Sequence, residues 1–373
     1  MRYRTRQAEG RLRELSLHFK VVLVTGARQV GKSTLLRQVF PELRAFTFDP
    51  DQDLYGARAD PDLFLDNFPA PLLLDEIQYA PELLPAIKRR VDERDAPGQY
   101  LLSGSQNLQV LRQVSESLAG RVGILPLEGL SRRELTERGG EASGLAAWLS
   151  DPDAAPPAAP APAEALPRIL WRGGMPGLLD FPDHLVPDYH RSYVQTYLER
   201  DVRSLSELRS LADFGRFLGL SAALTAQEIN DAQLGRELGV SPPTARAWRE
   251  LMVHSFQWWE LPPFQGNAVK RVSGRRKGHL ADTGLACWLQ RVSSPDALAV
   301  SPLFGRLFET WVVGEVRKAL SLLATPPAMY HWRTAGGAEV DLVLERDGRL
   351  FPLEIKAGSR LDGHALQGLR AFR

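Results

Sequence analysis

One eight-residue segment constrains the fold of this chain more than any other feature of its sequence. Residues Gly26 to Ser33 read GARQVGKS, directly after the apolar run VVLVT and directly before the helical pattern KSTLLRQVF. The glycines of such a turn let successive backbone N–H groups point inward, and the N-terminus of the following helix adds a partial positive charge. The pattern G-x-x-x-x-G-K-[ST] between a strand and a helix therefore predicts a phosphate-binding loop.

The residue types of this loop predict a nucleoside triphosphate and a magnesium ion as its ligands. Lys32 is expected to reach the β- and γ-phosphate oxygens, and the Ser33 hydroxyl to bind the metal. A glycine-rich turn that binds no nucleotide is the alternative. The predicted cofactors are ATP and Mg²⁺, and the residues assigned to the nucleotide are Gly26, Ala27, Arg28, Gln29, Val30, Gly31, Lys32, Ser33 and Thr34.

A second segment, PLLLDEI, supplies the carboxylates that ATP hydrolysis needs. Its three leucines predict a buried strand that ends at Asp75, and Glu76 follows directly. We expect Asp75 to orient the magnesium shell and Glu76 to accept a proton from the attacking water. An acidic pair that merely ends a strand is the alternative. The phosphate loop upstream favours the catalytic interpretation.

Two further segments offer polar groups to the γ-phosphate. The next strand ends in SGSQN, where Ser103, Ser105 or Gln106 could bind the γ-phosphate or the water, and Ser105 is favoured. Serine and glycine are also ordinary turn residues, which is the alternative reading. Arg121 precedes another apolar run and is a candidate arginine finger, in its own or a neighbouring subunit, or else a surface arginine.

The chain is long enough for several domains. Strand-like runs alternate with helical patterns from Val21 to about Leu135, which predicts a parallel sheet with helices on both faces. An alanine- and proline-rich stretch from Ser150 to Pro167 predicts an exposed linker or loop. We assign a nucleotide-binding domain to residues 1–135, a linker to 136–167, a helical lid or connector to 168–225, a winged helix-turn-helix to 226–285 and a small α/β domain to 286–373.

The segment LGRELGVSPPTARAWREL predicts a helix-turn-helix. Leu234 and Leu238 fit the inner face of the first helix, Gly239 fits the turn, and Ser241 fits the N-cap of a second helix. Such a module contacts DNA in many proteins and contacts protein in others. Arg246 and Arg249 are expected to project from the second helix.

A basic loop follows the predicted helix-turn-helix. With the two helix arginines it gives the set of candidate DNA contacts, which is Arg246, Arg249, Lys270, Arg271, Arg275, Arg276 and Lys277. Phosphate contacts from such a wing-like loop would be largely independent of DNA sequence. A solvated basic face is the alternative.

Two acidic residues and a lysine in the C-terminal region suggest a second site. Asp341 and Glu354 end consecutive apolar runs and Lys356 follows, in the pattern D-x12-E-x-K. A hairpin would bring the three together, with the carboxylates able to hold magnesium and the lysine able to polarise a phosphate or activate water. Glu309 or Glu315, on a preceding helix, could add a ligand. The pattern resembles the PD-(D/E)xK nuclease core. Such cores usually add another strand after a helix, and this sequence departs from them there, since LRAFR follows directly after the predicted helix.

A series of motifs in fixed order resembles one family. The motifs are GARQVGKSTLL, LLLDEIQ, LLSGSQ, ESLAGR, YLERDV, NAVKR, HLADTGL, EVDLVL and LEIKAG. The series resembles the bacterial and archaeal AAA-type ATPases that carry a C-terminal domain of unknown function. The resemblance implies an AAA-type P-loop sheet, followed by a helical and winged-helix region and a small restriction-endonuclease-like domain. It also implies that the strand bearing Asp75 lies next to the strand that precedes the phosphate loop.

Composition limits the partners and the cellular compartment that are expected for the protein. The formal net charge of +1 requires any DNA contact to come from a local patch. No apolar run reaches the roughly 20 residues that span a bilayer, and the arginines of MRYRTRQAEGRLREL are interpreted as the solvated face of a first helix. One cysteine, Cys287, excludes an intramolecular disulfide. We predict a cytoplasmic protein with no membrane partner, and oligomerisation stays open.

Two functions from different classes fit these features. In the first, a DNA-associated ATPase is coupled to a metal-dependent nuclease. In the second, a regulatory ATPase uses an inactive nuclease-like domain to dock a partner protein. Both predict ATP as a ligand, and only the first requires the C-terminal carboxylates to hold a metal.

Overall fold

The computed structural model describes residues 3–105, 118–141, 143–153, 164–197, 202, 211–265, 274–334, 336–358 and 366–372. Contacts divide the chain into two compact units. The first comprises Met1–Glu141, Met175–Gly177 and His254–Phe256, and the second comprises Ala142–Gly174, Leu178–Val253 and Gln257–Arg373. Three predicted site residues, Gln106, Lys270 and Arg271, lie outside the described residues.

A five-stranded parallel sheet forms the first unit. Its strands are β1 (Val21–Thr25), β2 (Arg44–Thr47), β3 (Leu72–Asp75), β4 (Tyr100–Gly104) and β5 (Val122–Pro126). Its helices are α1 (Ala8–His18), α2 (Lys32–Val39), α3 (Pro61–Asn67), α4 (Leu83–Glu93) and α5 (Arg132–Leu135). Every residue of β1, β3 and β4 is buried, as expected for strands covered on both faces. The predicted α/β class is confirmed.

The order of the strands differs from the prediction. The sheet runs β2-β3-β4-β1-β5, so β4 lies between the strand that precedes the phosphate loop and the strand that bears Asp75. Leu102 pairs with Leu23 on one side and with Leu74 on the other. The expected contact between β1 and β3 is therefore wrong. Because parallel strands end at one edge of a sheet, the intervening strand brings Ser103 and Ser105 to that edge, beside Asp75.

The second unit contains helices and two antiparallel sheets. The helices are α6 (Gly144–Ser150), α7 (Leu166–Arg172), α8 (Val186–Thr196), α9 (Leu211–Ala223), α10 (Asp231–Leu238), α11 (Pro242–His254), α12 (Thr283–Leu289), α13 (Pro295–Ala299), α14 (Phe304–Leu320) and α15 (Gln367–Phe372). The strands are β6 (Gln227–Glu228), β7 (Trp258–Leu261), β8 (Lys277–Leu280), β9 (Ala328–Arg333), β10 (Glu339–Arg346) and β11 (Arg349–Leu353). Among the helices of the described segments, none is long and apolar enough to cross a membrane.

Two helices joined by a tight turn, α10 and α11, lie in the segment for which the sequence predicts a helix-turn-helix. The Asn230 side chain caps α10, and Gly239 ends the helix in a left-handed conformation with φ 70°. Ser241 Oγ accepts a hydrogen bond of 3.2 Å from the Thr244 amide at the start of α11. The sheet β6-β8-β7 belongs to the same unit.

The C-terminal sheet is β11-β10-β9. Apolar side chains of β10, β11, α14 and β7 form one core with Leu149 of α6. Since α6 lies inside the range assigned to the linker, part of that range is a packed helix. One residue of β9 and one of β11 are buried, against five consecutive residues of β10, as expected for the central strand of the three.

Candidate functional site

The backbone of the phosphate loop requires glycine at two positions. Gly26 has φ 153° and Gly31 has φ 92°. A Cβ atom built on Gly26 would lie 2.0 Å from the carbonyl oxygen of Leu127. A side chain at Gly26 is therefore excluded by contact, and one at Gly31 is strained by its backbone conformation.

Lys32 and Ser33 begin the helix α2 and direct their side chains to the loop and to β3. The buried Lys32 ammonium donates hydrogen bonds to the carbonyl oxygens of Gly26, at 3.0 Å, and Ala27, at 2.9 Å. The Ser33 hydroxyl donates to Asp75 Oδ1 at 2.8 Å. These contacts place an ammonium, a hydroxyl and a carboxylate at one edge of the sheet.

Asp75 is held by hydroxyl groups from three elements. Besides Ser33, the Ser103 hydroxyl at the end of β4 donates to Asp75 Oδ1, and Thr47 Oγ1 at the end of β2 lies 3.3 Å from Oδ2. Ser103 also accepts a 3.2 Å hydrogen bond from the Glu76 amide. The strand order explains this convergence, because β2, β3 and β4 are neighbours.

Glu76 lies in a left-handed backbone conformation with φ 57°. Such a conformation costs a residue other than glycine of order 1 kcal/mol and is concentrated at functional sites. Its carboxylate accepts hydrogen bonds from Ser105 Oγ, at 3.3 Å, and from the Gln78 amide, which also donates to Ser105 at 3.1 Å. The structure thus brings the favoured Ser105 to Glu76. Gln78 was not predicted, although it stands in the quoted motif LLLDEIQ.

Arg6 is a second residue that the sequence did not identify. Its side chain is 5% exposed, whereas the sequence predicts a solvated face for the N-terminal arginines. The guanidinium donates to the carbonyl oxygens of Val30 in the phosphate loop, at 2.8 Å, and of Glu128, at 2.6 Å. It also pairs with the buried carboxylate of Glu134 at 3.0 Å. The interpretation as a solvated residue is therefore wrong for Arg6.

Arg121 does not lie near the phosphate loop of its own chain. Its carbonyl oxygen accepts a 3.2 Å hydrogen bond from Val21, the first residue of β1, whereas the loop follows the last residue of β1. Five residues of strand span about 16 Å. The guanidinium pairs with Asp92 and holds the pKa of that carboxyl below its usual range. A role as a finger in cis is thus wrong, and the role in a neighbouring subunit and the alternative of a surface arginine stay open.

Some of the candidate DNA contacts are exposed, and others are buried or ion-paired within the chain. Lys277 is buried and Arg249 pairs with Asp231, at 2.8 Å, and Glu260, so both are corrections to the predicted set. Arg275 is exposed. Arg246 is 67% exposed and Arg276 is 49% exposed, with carboxylate partners at 3.0 and 3.6 Å.

The C-terminal carboxylates converge as predicted, together with one unexpected lysine. Lys356 Nζ lies 2.5 Å from Glu354 Oε1 and 3.9 Å from Asp341 Oδ2. Lys277 Nζ lies 2.8 Å from Glu309 Oε1 and 3.7 Å from Asp341 Oδ1. We call this set the acid cluster, which comprises Lys277, Glu309, Glu339, Asp341, Glu354 and Lys356. Glu315 instead pairs with Lys318 at 3.0 Å.

Burial and mutual repulsion shift the proton affinities in the acid cluster. Burial raises the pKa of Glu309 to about 7, with Asp341 adding to the rise and Lys277 opposing it. Burial also raises the pKa of Glu354. Burial lowers the pKa of Lys277, but the charges of Glu309 and Glu339 outweigh this and leave it raised. The ammonium of Lys277 is thus firmly charged.

The two sites differ in their fit to a divalent cation. Among the described residues, no three Asp, Glu, His or Cys side chains are arranged to hold a metal ion. A magnesium ion at a nucleotide site takes one or two protein ligands and completes its shell with phosphate oxygens and water. Ser33 and Asp75 fit that donor set. The acid cluster already contains an ammonium among its carboxylates.

Three family models match the chain in order. An AAA domain matches residues 18–136, a domain of unknown function (DUF8612) matches 163–296, and a second one (DUF4143) matches 304–373. The parallel sheet, the phosphate loop and the first match define an AAA-type P-loop ATPase domain.

Two mycobacterial relatives extend the match to nearly the whole chain. Uncharacterized protein Rv2008c of Mycobacterium tuberculosis and uncharacterized protein Mb2031c of Mycobacterium bovis are each 32% identical over 355 residues, 95% of this chain and 74% of the relative. The chain belongs to the family of these two proteins.

Solved structures resemble the chain more distantly. The Walker-type ATPase PABY2304 of Pyrococcus abyssi is 17% identical, with a TM-score of 0.46, over 78% of this chain and 99% of that one. The RuvB Holliday junction branch migration motor of Thermotoga maritima is 18% identical, with a TM-score of 0.34, over 69% and 90%.

Proposed function

We propose that the chain is a cytoplasmic enzyme that binds ATP with Mg²⁺ and hydrolyses it, and that nucleotide state controls what its second unit binds. The observation that carries the proposal is the convergence of Lys32, Ser33, Asp75 and Glu76 at one edge of the sheet. The phosphate loop would receive the triphosphate on its amides, and Lys32 would exchange its bonds to Gly26 and Ala27 for phosphate oxygens.

Each side chain at this edge has a distinct task. Ser33 and Asp75 would hold Mg²⁺, and the bound ion would neutralise part of the negative charge of the phosphates. Glu76 is positioned to orient the attacking water and take its proton. Gln78 and Ser105 would hold the Glu76 carboxylate in place through their hydrogen bonds to Glu76 Oε2.

Two substitutions test the ATPase proposal. Lys32→Ala should weaken ATP binding, measured by calorimetry, because the ammonium is the main side-chain cation of the loop. Glu76→Gln should keep binding and lower kcat by roughly 100-fold or more, the usual contribution of a general base. Lys88→Ala, an exposed lysine of α4, is the control. Unaltered ATP turnover in Glu76→Gln would contradict the assignment.

We further propose a docking role for the second unit, with double-stranded DNA or a protein as its partner. The helix-turn-helix formed by α10 and α11 supports contact through the exposed Arg246, Arg275 and Arg276. Arg249 and Lys277 both form ion pairs with carboxylates of the same chain. The expected DNA surface therefore has two fewer cations, which favours the regulatory interpretation. Oligomerisation would be required only if Arg121 acts on a neighbouring subunit.

A metal-dependent nuclease is the second candidate for the C-terminal region. It is favoured by the position of Lys356 Nζ, which lies within 4 Å of carboxylate oxygens of both Asp341 and Glu354. In that case Asp341→Ala should abolish nicking of plasmid DNA with Mg²⁺ or Mn²⁺ and leave ATP turnover intact. If the wild-type protein nicks no form of DNA, the regulatory interpretation stands.

A further inference from the structure

The acid cluster combines four carboxylates with two lysines of very different exposure. The Lys277 side chain is 3% exposed, whereas that of Lys356 is 43% exposed. Glu309 comes from α14 and Glu339 and Asp341 come from β10, while Lys277 comes from β8. The buried lysine therefore enters from a different sheet from the one that carries most of the acids.

The Lys277 ammonium lies among the acids, in the position of a cation. Nζ contacts Glu309 and Glu339 and lies 3.7 Å from Asp341 Oδ1. A divalent metal would need carboxylate oxygens at about 2.0–2.6 Å. An ammonium and a metal ion cannot share this space, both because their volumes overlap and because their charges repel.

The position of Lys277 is fixed by its backbone. In β8 it pairs with Leu261 of β7 and with Glu228 of β6, so the residue lies in the middle strand of its sheet. Removing the ammonium from the acids would leave the buried Glu309 carboxylate without its cation, which is strongly unfavourable.

Two further oxygens of the acids have partners, whereas Glu354 Oε2 is buried without a hydrogen-bond partner. Asp341 Oδ2 accepts a 2.8 Å hydrogen bond from the Ile355 amide, which joins β10 to the segment after β11. Glu354 Oε1 pairs with Lys356. The arrangement is that of an ion-paired joint between β8, α14 and the C-terminal sheet.

We propose that the Lys277 ammonium permanently occupies the cation position of the acid cluster, so that the cluster binds no divalent metal. The cluster fastens β8 to α14 and β10, and the D-x12-E-x-K pattern serves this joint in place of metal-dependent DNA cleavage. Shortening Lys277 opens the cation position to a divalent ion.

The proposal is tested by measuring the binding of Mn²⁺, with no other ligand added, by electron paramagnetic resonance. All proteins carry Asp75→Asn, which removes the other candidate cation site. Full-length Lys277→Ala is expected to bind one Mn²⁺ at least tenfold more tightly than the parent, and Lys277→Ala combined with Asp341→Asn is expected to lose that site. Lys356→Ala is the matched control, since it removes a lysine from the same cluster and leaves Lys277 in place, and it should gain no site.

The parent protein gives a result that does not depend on the folding of any Lys277 variant. If it binds one Mn²⁺ that Asp341→Asn or Glu309→Gln removes, the proposal is overturned. It is also overturned if Lys277→Ala, with a native circular dichroism spectrum, gains no Mn²⁺. Lys277→Gln, which keeps much of the side-chain volume, replaces Lys277→Ala if the latter does not fold.

Discussion

Arg6 links the segment before α1 to the phosphate loop. Its guanidinium is shared between the Val30 carbonyl of the loop, the Glu128 carbonyl and the carboxylate of Glu134. Glu134 in turn completes a capping box with Ser131 at the start of α5. A single buried cation thus joins three segments that are far apart in sequence. One of its contacts is the Val30 carbonyl oxygen, which it holds in place within the phosphate loop.

Substitution of Arg6 should affect both stability and nucleotide binding. Arg6→Ala leaves the buried Glu134 carboxylate without its cation, which should lower the free energy of unfolding by about 3 kcal/mol. Loss of the charged hydrogen bond to Val30 should weaken ATP binding by roughly tenfold. Urea unfolding and calorimetry below the unfolding temperature measure the two effects.

The exposed Arg13 of α1 provides the control for Arg6. Its guanidinium lies 5.8 Å from the centre of the Phe40 ring, and Arg13→Ala should change stability by about 1 kcal/mol or less. Equal ATP affinity in Arg6→Ala and the wild type would show that the guanidinium does not shape the loop.

Glu309 should make stability depend on pH. Its pKa of about 7 in the folded protein exceeds the usual value of 4.5, so the folded state binds the proton more tightly. This contribution to stability is complete below about pH 4.5 and is lost as pH rises through about 7. Over that window it amounts to at most about 3 kcal/mol.

Glu309→Gln removes this titration, so the free energy of unfolding should fall less between pH 5 and pH 8 than in the wild type. Other titrating groups contribute alike to both proteins, and the difference between their urea unfolding curves isolates Glu309. Glu315→Gln, on the same helix but paired with Lys318, is the control. An identical pH profile for Glu309→Gln and the wild type would refute the assignment.

At the scale of elements, the turn between β1 and α2 has the strictest backbone requirement. Gly26→Ala places a Cβ against the Leu127 carbonyl at 2.0 Å, so the loop or β5 must move. Strain of this kind costs about 1–3 kcal/mol, and we expect ATP binding to fall below detection because the amides are displaced.

Gly10→Ala is the matched control for Gly26→Ala. Gly10 lies inside α1, and a Cβ there meets nothing within 4 Å. Alanine should stabilise the helix by about 0.5–1 kcal/mol and leave ATP binding unchanged. Thermal unfolding with and without ATP distinguishes the two glycine variants, and an ATP-dependent rise in unfolding temperature for Gly26→Ala would contradict the expectation.

The sequence predicts the elements that depend on local residues, but it does not predict which elements and side chains pack next to one another. The loop, the buried strand that ends at Asp75 and the turn at Gly239 each follow from residues within a few positions. The place of β4 depends on pairing between strands distant in sequence, which one sequence does not encode locally. Arg6 and Lys277 were misjudged for the same reason, since the partners that pay for their burial lie 32 to 128 residues away in sequence.

For the whole molecule, charge balance limits how DNA can be bound. The formal net charge is +1, so no long-range field attracts a polyanion and any affinity must come from local cations. The described part of the helix-turn-helix region leaves Arg275 and Arg276 exposed near the start of β8. DNA binding should consequently be weak, insensitive to sequence and sensitive to salt.

Joint replacement of Arg275 and Arg276 by alanine should reduce that affinity for a double-stranded oligonucleotide. If both arginines contact phosphates, the slope of log affinity against log salt should become shallower by about 1.8, because each contact releases close to one counterion. Fluorescence anisotropy from low to physiological salt measures the slope. Arg349→Ala, an exposed arginine at the start of β11, should leave it unaltered. A double variant that binds with the wild-type slope would show that Arg275 and Arg276 do not contact DNA phosphates.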